Sequence, residues 1–200
     1  MSSSRAHTPS PAPPSPPSAP SPSAPTARFW VDPVTLPDPP AGAVDLPAIA
    51  GSAPAYVKRL ACNTFYAYGV GADPAAFGYA LGRAVRFVEM SVEGGERVGE
   101  GRGRGEGRGR VEARTVAELT VTKHMLNGAG MLHGACLTYL IDICCATPLV
   151  VLGLVQNTNG VGVTQAMNVL FHAPAPLGTT LRVVSTSVSM GGRVMTARCE

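Results

Sequence analysis

Three places in this chain carry residue types that could do chemistry together: Asn127, the pair His133-Gly134, and Asp142. All lie in one run, LNGAGMLHGACLTYLIDICCATPLVVLGLV, residues 126 to 155. Asp142 is its one acidic residue, and no Lys or Arg accompanies it. An ionised carboxylate in apolar surroundings costs several kcal/mol or more unless something compensates. Asp142 therefore either meets a polar partner across an interface or works as a general base or water-orienting group. Gly134 opens the apolar part of the run. A helix starting there exposes free N–H groups and a partial positive charge. Without a Cβ, Gly134 lets a substrate come close to its amide. That amide is a candidate donor to a carbonyl oxygen gaining negative charge. Asn127, in the preceding turn, could add a side-chain donor or position a water, and His133 could orient the loop. Each also has an ordinary reading: Asn127 as a turn residue, His133 as a cap, Gly134 as a helix start.

Spacing adds a constraint. Eight residues separate Gly134 from Asp142, which is ~12 Å along a helix rising 1.5 Å per residue. A general base must lie within about 3 Å of its water, and an oxyanion donor equally near its oxygen. One helix cannot easily bring both to one carbonyl. Two such helices, antiparallel across a two-fold axis, would place Asp142 of one chain near Gly134 of another and give a C2 dimer two equivalent sites.

The elements that must position these residues can be read from pattern. Ala135 to Ala146 contains no breaker before Pro148 and reads as a helix, apolar on nearly every face and so buried on most sides. Extended to Val155 it nears the ~20 residues of a membrane span. Asp142 near its middle, Pro148 and the lack of close basic flanks argue against a span and for a buried core helix. Upstream, a short helix is expected around Tyr56 to Asn63. Phe77 to Ser91 starts helical and then alternates, with Val85, Phe87 and Met90 on one strand face and Arg86 and Glu89 outward. Val111 to Thr122 alternates again. After the helix, Gly153 to Gly160 reads as a turn. Val163 to Phe171 reads as a strand ended by Pro174 and Pro176. Thr180 to Ser189 and Arg193 to Cys199 read as a hairpin joined at Met190-Gly191-Gly192. Two strands, a long helix and three strands predict an α+β fold with an antiparallel sheet around one central helix.

Composition divides the chain. Met1 to about Pro40 is a Ser/Pro/Ala tract unable to bury enough apolar surface to order. The expected division is a disordered tail over 1–50 and a folded domain over 51–200. Pro13-Pro14-Ser15-Pro16 could serve a proline-recognising module. A Gly/Arg/Glu-rich stretch at 94–110 falls where a hairpin turn belongs and reads as a solvated insertion, since loop entropy grows slowly with length. Arg-Gly repeats can bind RNA. Here Glu96, Glu100 and Glu106 dilute the charge, and a net +3 does not argue for nucleic acid.

The spacing Asn127, His133-Gly134, Asp142, together with GVTQAMNVLFHAPAPLG at 162–178, resembles the hotdog-fold acyl-CoA thioesterases of the group containing acyl-coenzyme A thioesterase 13, or thioesterase superfamily member 2. The likeness runs from about Phe77 to Glu200, apart from the insertion. It implies a hotdog fold, hydrolysis of acyl-CoA to free acid and coenzyme A, and sites shared between subunits of a homodimer or homotetramer. It implies no cofactor beyond the coenzyme A of the substrate. By the same resemblance Thr164 supplies a hydroxyl beside the carboxylate where relatives commonly carry Ser. The family also has a further strand after the last hairpin, so this sheet is expected to lack its last strand.

Other classes fit less well. His133-Gly134-Ala135 is faintly like an esterase oxyanion loop, but no Gly-x-Ser-x-Gly elbow is present. A hydratase of the same fold would need a catalytic His paired with an acid. A degenerate acyl-CoA-binding domain and an Arg-Gly RNA-binding module remain as non-catalytic readings. His124 and His172 lack partners at metal-binding spacing, and no zinc pattern occurs. Five cysteines, Cys62, Cys136, Cys144, Cys145 and Cys199, form an odd set without CxxC. They predict a reducing, cytoplasmic setting without a disulfide framework. Arg5 and Arg28 amid many serines are mitochondrial-presequence features, which the proline density opposes.

Overall fold

The computed structural model describes residues 33–94, 110–191 and 193–200. Most of the Ser/Pro/Ala tract, most of the 94–110 insertion and Gly192 lie outside these residues.

The described chain contains three helices, α1 (Ala55–Thr64), α2 (Tyr79–Ala84) and α3 (Gly134–Gln156). Four strands, β1 (Arg86–Glu93), β2 (Glu112–Thr120), β3 (Thr180–Gly191) and β4 (Val194–Cys199), form one antiparallel sheet in that order. The α+β architecture read from the pattern is the one observed. In β1 the spacing from Phe87 to Met90 is three residues, yet both are buried. A register shift between Phe87 and Glu89 reconciles them, because a bulge absorbs one residue and restores the inward phase. The sheet face carrying Phe87, Met90, Ala113, Ala117, Leu119 and Val183 forms the core with Leu140, Cys144 and Val151 of α3. Packing begins before residue 51. Ile49 is buried, and Ala50 exchanges backbone hydrogen bonds with Val88 and Met90.

Helix α3 departs from expectation in two ways. It does not stop at Ala146 but runs through Pro148 to Gln156. Proline in a helix interior costs ~3 kcal/mol, whereas fully burying one Val or Leu side chain contributes about 1.5–3 kcal/mol. The turns beyond Pro148 bury Val150, Val151 and Leu152, which is enough to carry the helix past it. The helix is also buried along one stripe rather than on most sides. Cys136, Leu140, Cys144, Thr147 and Val151 face inward, while Thr138, Asp142, Cys145 and Leu149 are half-exposed and Ala135 and Ala146 exposed. By length and composition alone α3 could cross a membrane.

The expected strand at Val163 to Phe171 is not one. These residues carry no ladder and no named element, and Val163, Leu170 and Phe171 are 89%, 74% and 58% exposed. A strand exists only where a neighbour accepts its hydrogen bonds, and none of the described strands pairs with this segment.

Candidate active site

The loop before α3 is tied down from several directions. Asn127 N–H donates to Met131 O at 2.7 Å and His133 N–H to Met125 O at 2.7 Å. Leu132 N–H donates to Ala175 O at 2.8 Å. The Asn127 Oδ1 accepts from Ala129 N–H at 2.9 Å and Met131 N–H at 3.2 Å. Asn127 therefore builds the turn through its oxygen, and only its NH2 end is left as a donor. His133 is the N-cap of α3: its Nδ1 accepts from Ala135 N–H at 3.0 Å. That bond requires an unprotonated Nδ1. The ordinary readings of these two residues are thus realised, and both hold the helix start in place. No hydrogen bond among the described residues uses the Gly134 N–H. It remains available at the positive end of the helix.

Eight residues further along the same helix, Asp142 is half-buried, less enclosed than its apolar neighbours suggested. Its Oδ1 accepts a hydrogen bond from Thr164 Oγ1 at 2.6 Å, within the range of a short charge-assisted bond. Chain reversal produces the pairing. Asn157 caps α3 in the left-handed conformation, φ 53°. Gly160 then lies so close to the helix that a Cβ would fall 2.2 Å from Leu149 O. From Gly160 to Thr164 an extended chain covers ~13 Å. From Leu149 back to Asp142 the helix covers ~10 Å. The two runs nearly match, so the hydroxyl arrives at the carboxylate.

The structure thus brings Asp142 and Thr164 together, and keeps His133 with Gly134. It does not bring Gly134 to Asp142, which sit on one helix at the separation its rise dictates. Sequence reasoning missed one neighbour. A Cβ on Gly134 would meet the Phe171 ring at 3.5 Å, so that ring stands beside the free amide. Nothing in the local pattern around Phe171 announces the contact, because it joins residues across a loop that forms no strand. A tyrosine-centred contact also ties α3 to the chain that precedes the sheet. The Tyr139 hydroxyl donates to Gly69 O at 2.7 Å, and its ring meets Phe77 edge-on at 5.4 Å. Burial, and secondarily the nearby Asp142 charge, push the Tyr139 hydroxyl pKa upward.

Comparison with known proteins reaches the same residues. Residues 129–200 match the family model described as Thioesterase superfamily. The crystal structure of zebrafish thioesterase superfamily member 2 is similar at 18% identity, over 68% of this chain and 78% of that chain, with a TM-score of 0.46. No curated protein matches. The four-stranded antiparallel sheet with the long helix packed against it agrees with the α+β architecture expected from the sequence. Residues 129–200, the part similar to the Thioesterase superfamily model, contain the helix start, the carboxylate and its hydroxyl partner.

Proposed function

We propose that this protein is an acyl-CoA thioesterase whose sites form between two copies of the chain. The observation that carries the reading is the division of parts along α3. A free amide stands at its start, and a hydroxyl-bonded carboxylate lies eight residues on, too far away to act on the same carbonyl. Two α3 helices antiparallel across a two-fold axis would set Asp142 of one chain against Gly134 of the other. The half-exposed outer stripe of α3 and the exposed apolar side chains of 163–171 are the surfaces such a pairing would cover.

In the proposed reaction Asp142 takes a proton from water as the water oxygen attacks the thioester carbon. The carbonyl electrons move to an oxygen held by the Gly134 N–H. Collapse of this adduct breaks the carbon–sulfur bond. Coenzyme A leaves as a thiolate and recovers the proton from Asp142. Thr164 orients the carboxylate through the bond it donates, and Asn127 and His133 hold the loop that aims the amide.

The test is release of free thiol from acyl-CoA by the purified protein, with Asp142→Asn alongside. Turnover is expected in the parent and lost in the variant, with the oligomer unchanged. Unchanged turnover in the variant rejects the base assignment. Acyl-CoA binding without thiol release rejects catalysis in favour of a binding domain.

A further inference from the structure

The ring of Phe171 lies outside the hydrophobic core and outside the groups assigned to the proposed proton transfer. It is nevertheless held against the start of α3. Its segment is anchored at both ends. Upstream, the Thr164 hydroxyl donates to the Asp142 carboxylate. Downstream, Leu132 N–H donates to Ala175 O at 2.8 Å, and Met131 forms a bridge with Pro176. Residues 131–132 come just before Gly134 in the chain, so the second anchor delivers Phe171 to the helix start.

The geometry there is that of a slot. A Cβ built on Gly134 would stand 3.5 Å from Phe171 Cζ and 3.6 Å from Cε1, which is ordinary van der Waals contact. The backbone of Gly134 is helical and not left-handed. An alanine would therefore fit, and folding does not demand glycine here. What the missing Cβ leaves is a gap about one methyl wide between a bare Cα and an apolar ring. A helical Cα–Cβ direction leans toward the helix N-terminus, the end at which the N–H groups are free. The gap thus opens on the same end of the helix as the amide assigned to the carbonyl oxygen. An oxygen accepting that N–H at ~2.9 Å brings the carbon next to the carbonyl up to the ring.

We infer, resting on the thioesterase reading above, that Gly134 and Phe171 bound a specificity slot for the first carbons of the acyl group. The slot takes a CH2 beside the carbonyl and rejects a methyl branch at that carbon, because the ring fills the space the branch needs. A branch one carbon further on lies past the ring and is accepted. Phe171 acts by apolar contact and exclusion and moves no proton. The contact between ring and glycine lies within one chain, so it does not depend on which surface a second copy covers. In the proposed pairing the second copy brings its carboxylate to this end of the helix and closes the slot around the substrate.

The test compares two isomeric substrates, 3-methylbutanoyl-CoA and 2-methylbutanoyl-CoA, which differ only in where the methyl branch sits. Free thiol released by the full-length protein gives kcat/KM for each. The parent should favour the 3-methyl isomer by about tenfold or more, the range that one methyl commands in an apolar pocket. Phe171→Ala should bring the ratio close to one, chiefly by raising the rate on the 2-methyl isomer. Phe171→Leu keeps apolar bulk, serves where the alanine variant does not fold, and should fall between. Leu170→Ala truncates the neighbouring exposed side chain and should leave the ratio at the parent value. Equal parent rates on the two isomers, a parent ratio in either Phe171 variant, or an equal shift in Leu170→Ala would overturn the slot and leave the thioesterase reading standing. No thiol release by the parent from either isomer or from butanoyl-CoA would overturn the thioesterase reading, and the slot with it.

Discussion

The two sides of α3 do different work with the same kind of residue. The inner stripe, Cys136, Leu140, Cys144, Thr147 and Val151, is buried against the sheet. The outer stripe, Thr138, Asp142, Cys145 and Leu149, is scarcely more polar in composition yet remains half-exposed. Its polar members have side-chain partners: Thr138 Oγ1 donates to Gly134 O at 3.0 Å, and Asp142 accepts from Thr164. An apolar helix face left open in one chain is a place for something else to bind. The contrast separates residues that hold the fold from residues to which the proposed reaction is assigned.

Substitutions on the two sides should part stability from activity. On the outer side, Asp142→Asn should lower kcat by about 10²–10⁴, equivalent to ~3–5 kcal/mol in the barrier. Its urea midpoint should stay near that of the parent. A large shift in midpoint would move Asp142 to the structural side. On the inner side, Leu140→Ala removes a fully buried side chain and should destabilise the fold by about 2–5 kcal/mol. Turnover per folded molecule, measured well below the melting temperature, should change little.

Finer tests follow the hydrogen bonds. Thr164→Val removes the hydroxyl but keeps the shape. It should cost about tenfold in kcat, or ~1.4 kcal/mol, near the low end of the ~1.5–3 kcal/mol of a hydrogen bond to a charged group, and Thr164→Ser should keep the parent rate. A parent rate in Thr164→Val with a reduced rate in Thr164→Ser would show that the methyl, not the hydroxyl, is what position 164 contributes. The smallest effect is expected at the helix start. His133→Ala loses the cap and should cost ~1 kcal/mol of stability, whereas His133→Asn, which can still cap, should recover most of it in the same thermal melt.

A second pair of segments shows where local pattern and final structure part. Val163–Phe171 and β3 are both rich in β-branched and apolar residues. β3 lies between β2 and β4 and pairs with both, while 163–171 pairs with none of the described strands. Such composition records a capacity for pairing, and pairing needs a neighbour. The overrun through Pro148 has the same origin. A local rule was outweighed by burial of residues beyond it, and that burial depends on the sheet beneath.

Sequence alone determined the local, periodic and directional features. The inward phase of β1 and β2, the hairpin at β3–β4, the apolar helix, the glycine at its start and the lone acid eight residues on all follow from residue order. Side-chain period and helix rise act over a few ångströms along the chain. Tertiary structure decided what lies beside what. It gave Asp142 the Thr164 hydroxyl, put the Phe171 ring beside Gly134 and left 163–171 outside the sheet. Such contacts join residues distant in sequence, and they depend on how the chain reverses and packs, which no local pattern encodes.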